Sequence, residues 1–131
     1  MNLRAEETLS KIKEQIILVA NLVDSFPKTT ASFKIAGQIM DSVTSIGANF
    51  AEAQSARTKK EFVSTIGISL KEAKETLFWL DIVKDLKLTD GRVDVIRQKC
   101  IELVKILSSI VLTASGRKKI GDKSSIINNQ S

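Results

Sequence analysis

Apolar residues recur through this 131-residue chain at alternating steps of four and three, and that spacing leaves few folds open. In the first segment Ala5, Leu9, Ile12, Ile16, Val19, Val23 and Phe26 follow it without a break. A repeat averaging about 3.5 residues keeps one oily stripe on one side of an α-helix, whereas a half-buried strand needs a repeat of two. The spacing returns in three later segments. The second carries Ala36, Ile39, Val43, Ile46 and Phe50. The third carries Val63, Ile66, Leu70, Ala73, Leu77 and Leu80, widened by Phe62 and Val83. The fourth carries Val93, Ile96, Cys100, Leu103, Leu107, Ile110 and Ala114.

The breaks between stripes supply the helix ends. Asn2 is an N-cap candidate, and Pro27 forbids continuation of the first helix while biasing Phe26 away from helical geometry. Thr29 or Thr30 caps the second helix. Thr58-Lys59-Lys60-Glu61 has the form of a capping box, in which the hydroxyl serves the third amide and the carboxylate reaches back. Thr89 or Asp90 caps the fourth helix, and Gly116 is a natural stop. Four helices of roughly 24 to 29 residues would each span about 36 to 43 Å. Joined by connections this short, they must lie antiparallel. The sequence thus predicts an all-α, antiparallel up-down-up-down four-helix bundle over residues 1–116. A basic, disordered C-terminal tail is expected over 117–131.

Two helices carry a polar margin beside the oily seam. On the second it is Gln38, Ser42, Ser45, Asn49 and Glu52, and on the third Thr65, Ser69, Glu72, Thr76 and Trp79. Polar groups this close to a packing interface need partners or they destabilise it. Asn49 and Glu52 are expected to bond across to the Ser69–Glu72–Thr76 margin or to backbone at the helix ends. Gly67, in mid-helix, is expected to mark a close helix contact.

Composition excludes much chemistry. The chain has no His, which removes His/Cys zinc sites, His-based triads and the Glu-x-x-His di-iron bundle pattern. Its six Gly form no phosphate loop, and no cofactor is expected. Aromatic residues are 5% with no Tyr, which argues against base-stacking platforms. Cys100 has no partner for an internal disulfide and sits on an apolar stripe, as a small core residue. No apolar run reaches the roughly 18 residues of a membrane span. The opening residues are charged and lack a signal-peptide core, so a cytoplasmic location is the expectation.

Ser45, Ala48, Asn49 and Glu52, followed by Phe62 and by Lys71-Glu72, Glu75-Thr76 and Trp79-Leu80, form a pattern. It resembles the bacterial four-helix-bundle proteins of the rRNA intervening-sequence type. Residues 42 to 80 carry the match, and the chain length and four-helix layout fit the rest. Where many relatives have Gly after the Glu, this chain has Ala53. The resemblance implies a homopentameric barrel and no catalytic residues. It also implies kinship with the accessory protein of diversity-generating retroelements, hence a reverse transcriptase and nucleic acid as partners. The signature residues Ser45, Asn49, Glu52, Glu72 and Trp79 read as structural, given their place on a core margin.

Charge is uneven. The net charge is +5, with net +3 in residues 28–60 and net +5 in 87–131. In an up-down bundle one pole collects Arg4, Arg57, Lys59, Lys60, Arg117, Lys118, Lys119 and Lys123 against Glu6, Glu7, Glu61 and Asp122. Arg92 and Lys99 add a stripe on the fourth helix. A basic pole is a phosphate-backbone footprint; the bland reading is a solvated cluster of helix ends. Ile17, Ile35, Ile68, Ile82, Val95, Ile101, Ile106 and Val111 are left over once the core is assigned, which favours a homo-oligomer over a monomer, or else a wider core.

Three functions compete. The first is a non-catalytic oligomeric adaptor binding structured RNA or DNA, with a partner such as a reverse transcriptase. The second is a protein-binding scaffold without a nucleic-acid role. The third is an enzyme using Glu52, Glu72 and Glu75, for which the sequence supplies no nucleophile, metal ligands or cofactor loop.

Overall fold

The computed structural model describes residues 1–116. The expected tail, with Arg117, Lys118 and Lys119, lies outside the described residues. Four helices follow in order: α1 (Leu3–Asp24), α2 (Thr30–Ala53), α3 (Lys59–Asp85) and α4 (Arg92–Ala114). Each packs on its neighbours in sequence, and α4 closes back on α1, giving the up-down-up-down bundle.

The caps explain where the helices begin. The Ala5 amide donates to Asn2 Oδ1 at 2.8 Å, Ser32 to Thr29 Oγ1 at 3.1 Å, and Glu61 to Thr58 Oγ1 at 3.0 Å. The carboxylate of the predicted box reaches one residue further back: Glu61 Oε2 accepts from the Arg57 amide at 3.3 Å. On α4 the expected cap at Thr89 or Asp90 is not made: Gly91 is the N-cap with no side-chain bond, and Asp90, one residue outside, accepts from the Arg92 amide at 2.9 Å because its short carboxylate reaches only two residues on. At the end of α3, Lys87 turns left-handed with φ 53°. That residue lets the Leu88 amide reach Val83 O and the Lys87 amide reach Lys84 O, which closes the helix in a Schellman motif.

The core runs the length of the bundle: Ile12, Val19 and Leu22 from α1, Ile39, Val43, Ile46 and Phe50 from α2, Ile66, Ala73, Leu80 and Val83 from α3, and Ile96, Cys100, Leu103 and Leu107 from α4. Fully burying one such aliphatic or aromatic side chain stabilises by about 1.5–3 kcal/mol. On α1 the buried stripe is rotated from the expected one. Thr8, Gln15 and Leu22 are buried where Leu9, Ile16 and Val23 were expected, and those three are half-buried. The reason is that α1 faces two neighbours. Its Gln15 Nε2 donates to Ile96 O of α4 at 3.0 Å, while Ile16 turns to α2 on the other side.

The expected cross-helix bonds of Asn49 and Glu52 are not made. Asn49 Nδ2 donates to Ser45 O of its own helix at 2.9 Å, and Glu52 is exposed. Shorter hydroxyls, set deeper in the α2–α3 seam, bridge it instead. Ser69 Oγ donates to Ile46 O at 2.8 Å, and Thr76 Oγ1 lies 2.8 Å from Ser42 Oγ, which in turn donates to Ile39 O. Gly67 likewise has open space where a Cβ would stand; the close approach is at Gly47, against Ile12 and Ile16. Of the leftover apolar residues, Ile35 is buried and Ile82 and Val111 are half-buried against the core, so a wider core absorbs these three, while Ile101 and Ile106 are half-buried outside it. Ile17, Ile68 and Val95 remain exposed.

Candidate nucleic-acid interface

One end of the bundle gathers the starts of α1 and α3 and the finishes of α2 and α4. The α2–α3 connection is shaped there by its own backbone. Ser55 and Ala56 amides donate to Glu52 O and Ala53 O, and the Glu61 carboxylate holds the Arg57 amide. This presents Arg57, Lys59 and Lys60 outward beside Arg4, all four exposed. Among the described residues none of the four has a carboxylate within ion-pairing distance. The Lys59 ammonium lies 3.9 Å from where a Cβ on Gly116 would stand, beside the carbonyl end of α4, a favourable place for a cation. Glu6, Glu7 and Glu61 share this end, and Arg117 follows Gly116 directly.

The other sequence-predicted cations sit differently. Arg92 is at the opposite end, its Nε 2.8 Å from Asp90 Oδ1. The bond from the Arg92 amide, and after it the guanidinium pairing, hold the Asp90 carboxyl below its ordinary range. Lys99 reaches across to α1, 3.2 Å from Glu14. Lys11–Glu102 at 2.6 Å closes the same α1–α4 groove, raising the lysine and lowering the glutamate. Arg97–Asp81 at 2.5 Å ties α4 to α3. The structure therefore brings Arg57, Lys59 and Lys60 together and leaves Arg92 and Lys99 apart from them, each paired with an acid.

The signature residues line the outer side of the α2–α3 seam. Ser45, Asn49, Glu72 and Trp79 are half-buried and Glu52 is exposed. The Trp79 ring meets Phe78 edge-on at 5.0 Å, and its Nε1 is buried without a partner. Cys100 is inert by burial: its thiol, pushed up to about 12 chiefly by desolvation, donates to Ala73 O at 3.4 Å. Among the described residues no group of three or more His, Cys, Asp or Glu side chains could hold a metal ion, and no helix is long and apolar enough to cross a membrane.

Sequence reasoning missed a cavity at the cationic end. It measures about 220 Å³, with Phe50, Phe62, Ile110 and Ala114 as its apolar walls and Arg4 and Gln54 among its polar ones. The available signal was two Phe residues flanking the α2–α3 connection.

The sequence model of the 23S rRNA-intervening sequence protein matches residues 6–109. This chain belongs to that family. The resemblance carried by residues 42 to 80 therefore holds over most of the bundle. A solved structure of a protein of unknown function from the S23 ribosomal protein family of Bacteroides thetaiotaomicron VPI-5482 is similar. It is 32% identical with a TM-score of 0.72, over 79% of this chain and 97% of that one. No match emerges among curated proteins. Fold and family are thus shown together for this chain.

Proposed function

We propose that this protein is a non-catalytic, homo-oligomeric adaptor that binds the phosphates of structured nucleic acid at the end carrying Arg4, Arg57, Lys59 and Lys60. The observation behind the reading is that these four cations are exposed and gathered at one end without an ion-paired acid among the described residues, whereas Lys11, Lys84, Arg92, Arg97 and Lys99 are each paired and the other unpaired lysines, among them Lys13, Lys34, Lys71 and Lys105, are spread over separate helices. Unpaired cations release counterions when phosphates replace them, and that release drives non-specific binding. Arg117, Lys118 and Lys119 follow Gly116 in the sequence and add three positive charges there.

The test is fluorescence anisotropy of a labelled RNA hairpin between 50 and 200 mM salt. Binding weakens with a log–log slope of about −0.9 per phosphate neutralised. The combined Arg57→Glu, Lys59→Glu, Lys60→Glu variant binds more weakly and with a slope shallower by about two to three. A variant as tight and as salt-sensitive as the parent sinks the reading.

The oligomer draws support from Ile17, Ile68, Phe78 and Val95, all exposed on the protomer. A pentamer scatters light as five times the 14.4 kDa protomer; a clean monomer removes this part of the reading. A second reading, a protein-binding scaffold of unknown partner with no nucleic-acid role, is favoured by Phe78 on α3 and Leu86 at its C-cap, exposed at 54% and 53%. It gives a stable oligomer that ignores the hairpin at physiological salt.

A further inference from the structure

The cavity at the cationic end is larger than packing defects in a bundle core. A dry cavity of about 150 Å³ accepts a benzene ring. This one, at about 220 Å³ and open at its mouth, accepts a larger planar ring. Its walls are suited to one. Phe62 is half-buried and offers an aromatic surface, while Phe50, Ile110 and Ala114 complete an apolar lining. Two amides among the lining residues keep hydrogen-bonding capacity to spare. Gln54 Nε2 is spent on Phe50 O at 3.1 Å, which leaves its Oε1 as an acceptor. Asn2 Oδ1 is spent on the Ala5 amide at 2.8 Å, which leaves its NH₂ as a donor.

The rim is charged to match a phosphodiester. Arg4 is part of the lining, and the Lys59 ammonium stands beside the end of α4, two residues beyond Ala114 of the wall. An apolar cavity with Arg4 in its lining, an amide acceptor and an amide donor to spare among its residues, and Lys59 beside the adjoining helix end suits a nucleobase carried on a phosphate chain. Stacked bases inside a duplex cannot enter it. Unpaired bases in bulges and loops can be splayed out, stacked on an aromatic side chain and bonded along their edges.

We infer that this cavity takes a single unpaired nucleobase of a bound RNA, stacked on Phe62, with its flanking phosphates held by Arg4 and Lys59. The inference rests on the nucleic-acid reading above and narrows it from any phosphate backbone to a helix bearing an unpaired base. It runs against the low aromatic content of the chain, since only one ring has to be in the right place.

The test uses the full-length protein at physiological salt and three labelled RNA hairpins. One stem is fully paired, one carries a single unpaired adenosine, and one carries an abasic nucleotide at the same position. The adenosine bulge binds about 5- to 10-fold tighter than the other two, the low end of what one stacked base contributes. Phe62→Leu, which keeps the wall apolar and is checked for folding by circular dichroism, loses that preference while retaining the affinity for the paired stem. Equal affinity for all three hairpins overturns the inference and leaves phosphate binding intact. Binding to none overturns both. An abasic bulge as tight as the adenosine bulge means that bending is read and the base is not. A preference that survives Phe62→Leu places the base elsewhere. A Phe62→Leu variant that lowers the oligomer mass without altering RNA preference gives the cavity to a second copy of the chain.

Discussion

Gly47 and Gly67 look alike in sequence, each a glycine in the middle of a long helix, and the structure separates them sharply. A Cβ built on Gly67 meets nothing within 4 Å, whereas on Gly47 it meets Ile16 Cδ1 at 3.2 Å and Ile12 Cγ2 at 3.3 Å. Glycine in a helix interior costs about 1 kcal/mol relative to alanine. Gly67→Ala therefore stabilises the fold by about that amount. Gly47→Ala gains the same in helix propensity and loses it to crowding, because carbon atoms pack best at about 3.5–4.0 Å. Ile12 is fully buried and its Cγ2 sits on a stiff β-branched carbon, so it cannot swing aside; Ile16, half-buried, can yield at its terminal methyl. Overpacking of this kind costs about 1–3 kcal/mol, and the net change at Gly47 is a loss of about 1 kcal/mol. Urea denaturation followed by circular dichroism measures both, with midpoints moving in opposite directions. Ile16→Val removes the 3.2 Å contact, so a double-mutant cycle with Gly47→Ala shows a coupling of about 0.5–1 kcal/mol. If Gly47→Ala stabilises as much as Gly67→Ala, with no coupling to Ile16, the close approach of α1 to α2 is not there.

Three further outcomes follow from the core and its ends. Cys100 is protonated in the fold up to about 12 but ionises near its ordinary value of 9.0 when unfolded, so the unfolded chain releases the proton first as pH rises. Stability falls through this group by at most about 1.4 kcal/mol per pH unit above 9; urea midpoints at pH 8, 9 and 10 show that contribution in the parent and lack it in Cys100→Ala. Gln15 is fully buried with Oε1 unpartnered, so Gln15→Met exchanges an orphan costing about 1–3 kcal/mol and a bond worth about 1 for apolar packing. It raises the denaturation midpoint, and a loss above 1 kcal/mol contradicts the orphan. Lys87 occupies a left-handed position that glycine fills without strain, so Lys87→Gly raises the thermal midpoint by the equivalent of about 0.5–1 kcal/mol while Lys87→Ala leaves it unchanged.

The architecture was legible because it rests on repeats that many residues vote for. The 4-3 spacing, Asn2, Thr29, Thr58 and Pro27 agree with one another, and a single misplaced residue could not have changed the helix count. Which side of a stripe turns inward is a finer matter. On α1 the spacing serves Leu9-Ile16-Val23 and Thr8-Gln15-Leu22 equally well, and hydrophobicity alone chooses the wrong set. The choice is made by α4, where the Ile96 carbonyl receives the Gln15 amide. Partners on another helix are invisible to a pattern read along one.

The same asymmetry governs the candidate site. Arg57, Lys59 and Lys60 are consecutive or nearly so, and a short connection between antiparallel helices must hold them at one end. Arg92 and Lys99 carry the same charge in the sequence, yet their meaning depends on Asp90 two residues away and on Glu14 in a different helix. The cavity stands further still from the sequence: Arg4, Phe50, Phe62 and Ile110 come from four separate helices and share no pattern. Charge can be placed by topology because a cation acts over the width of a helix end. A binding slot requires walls fixed to within an ångström, and that precision is set only when all four helices have packed.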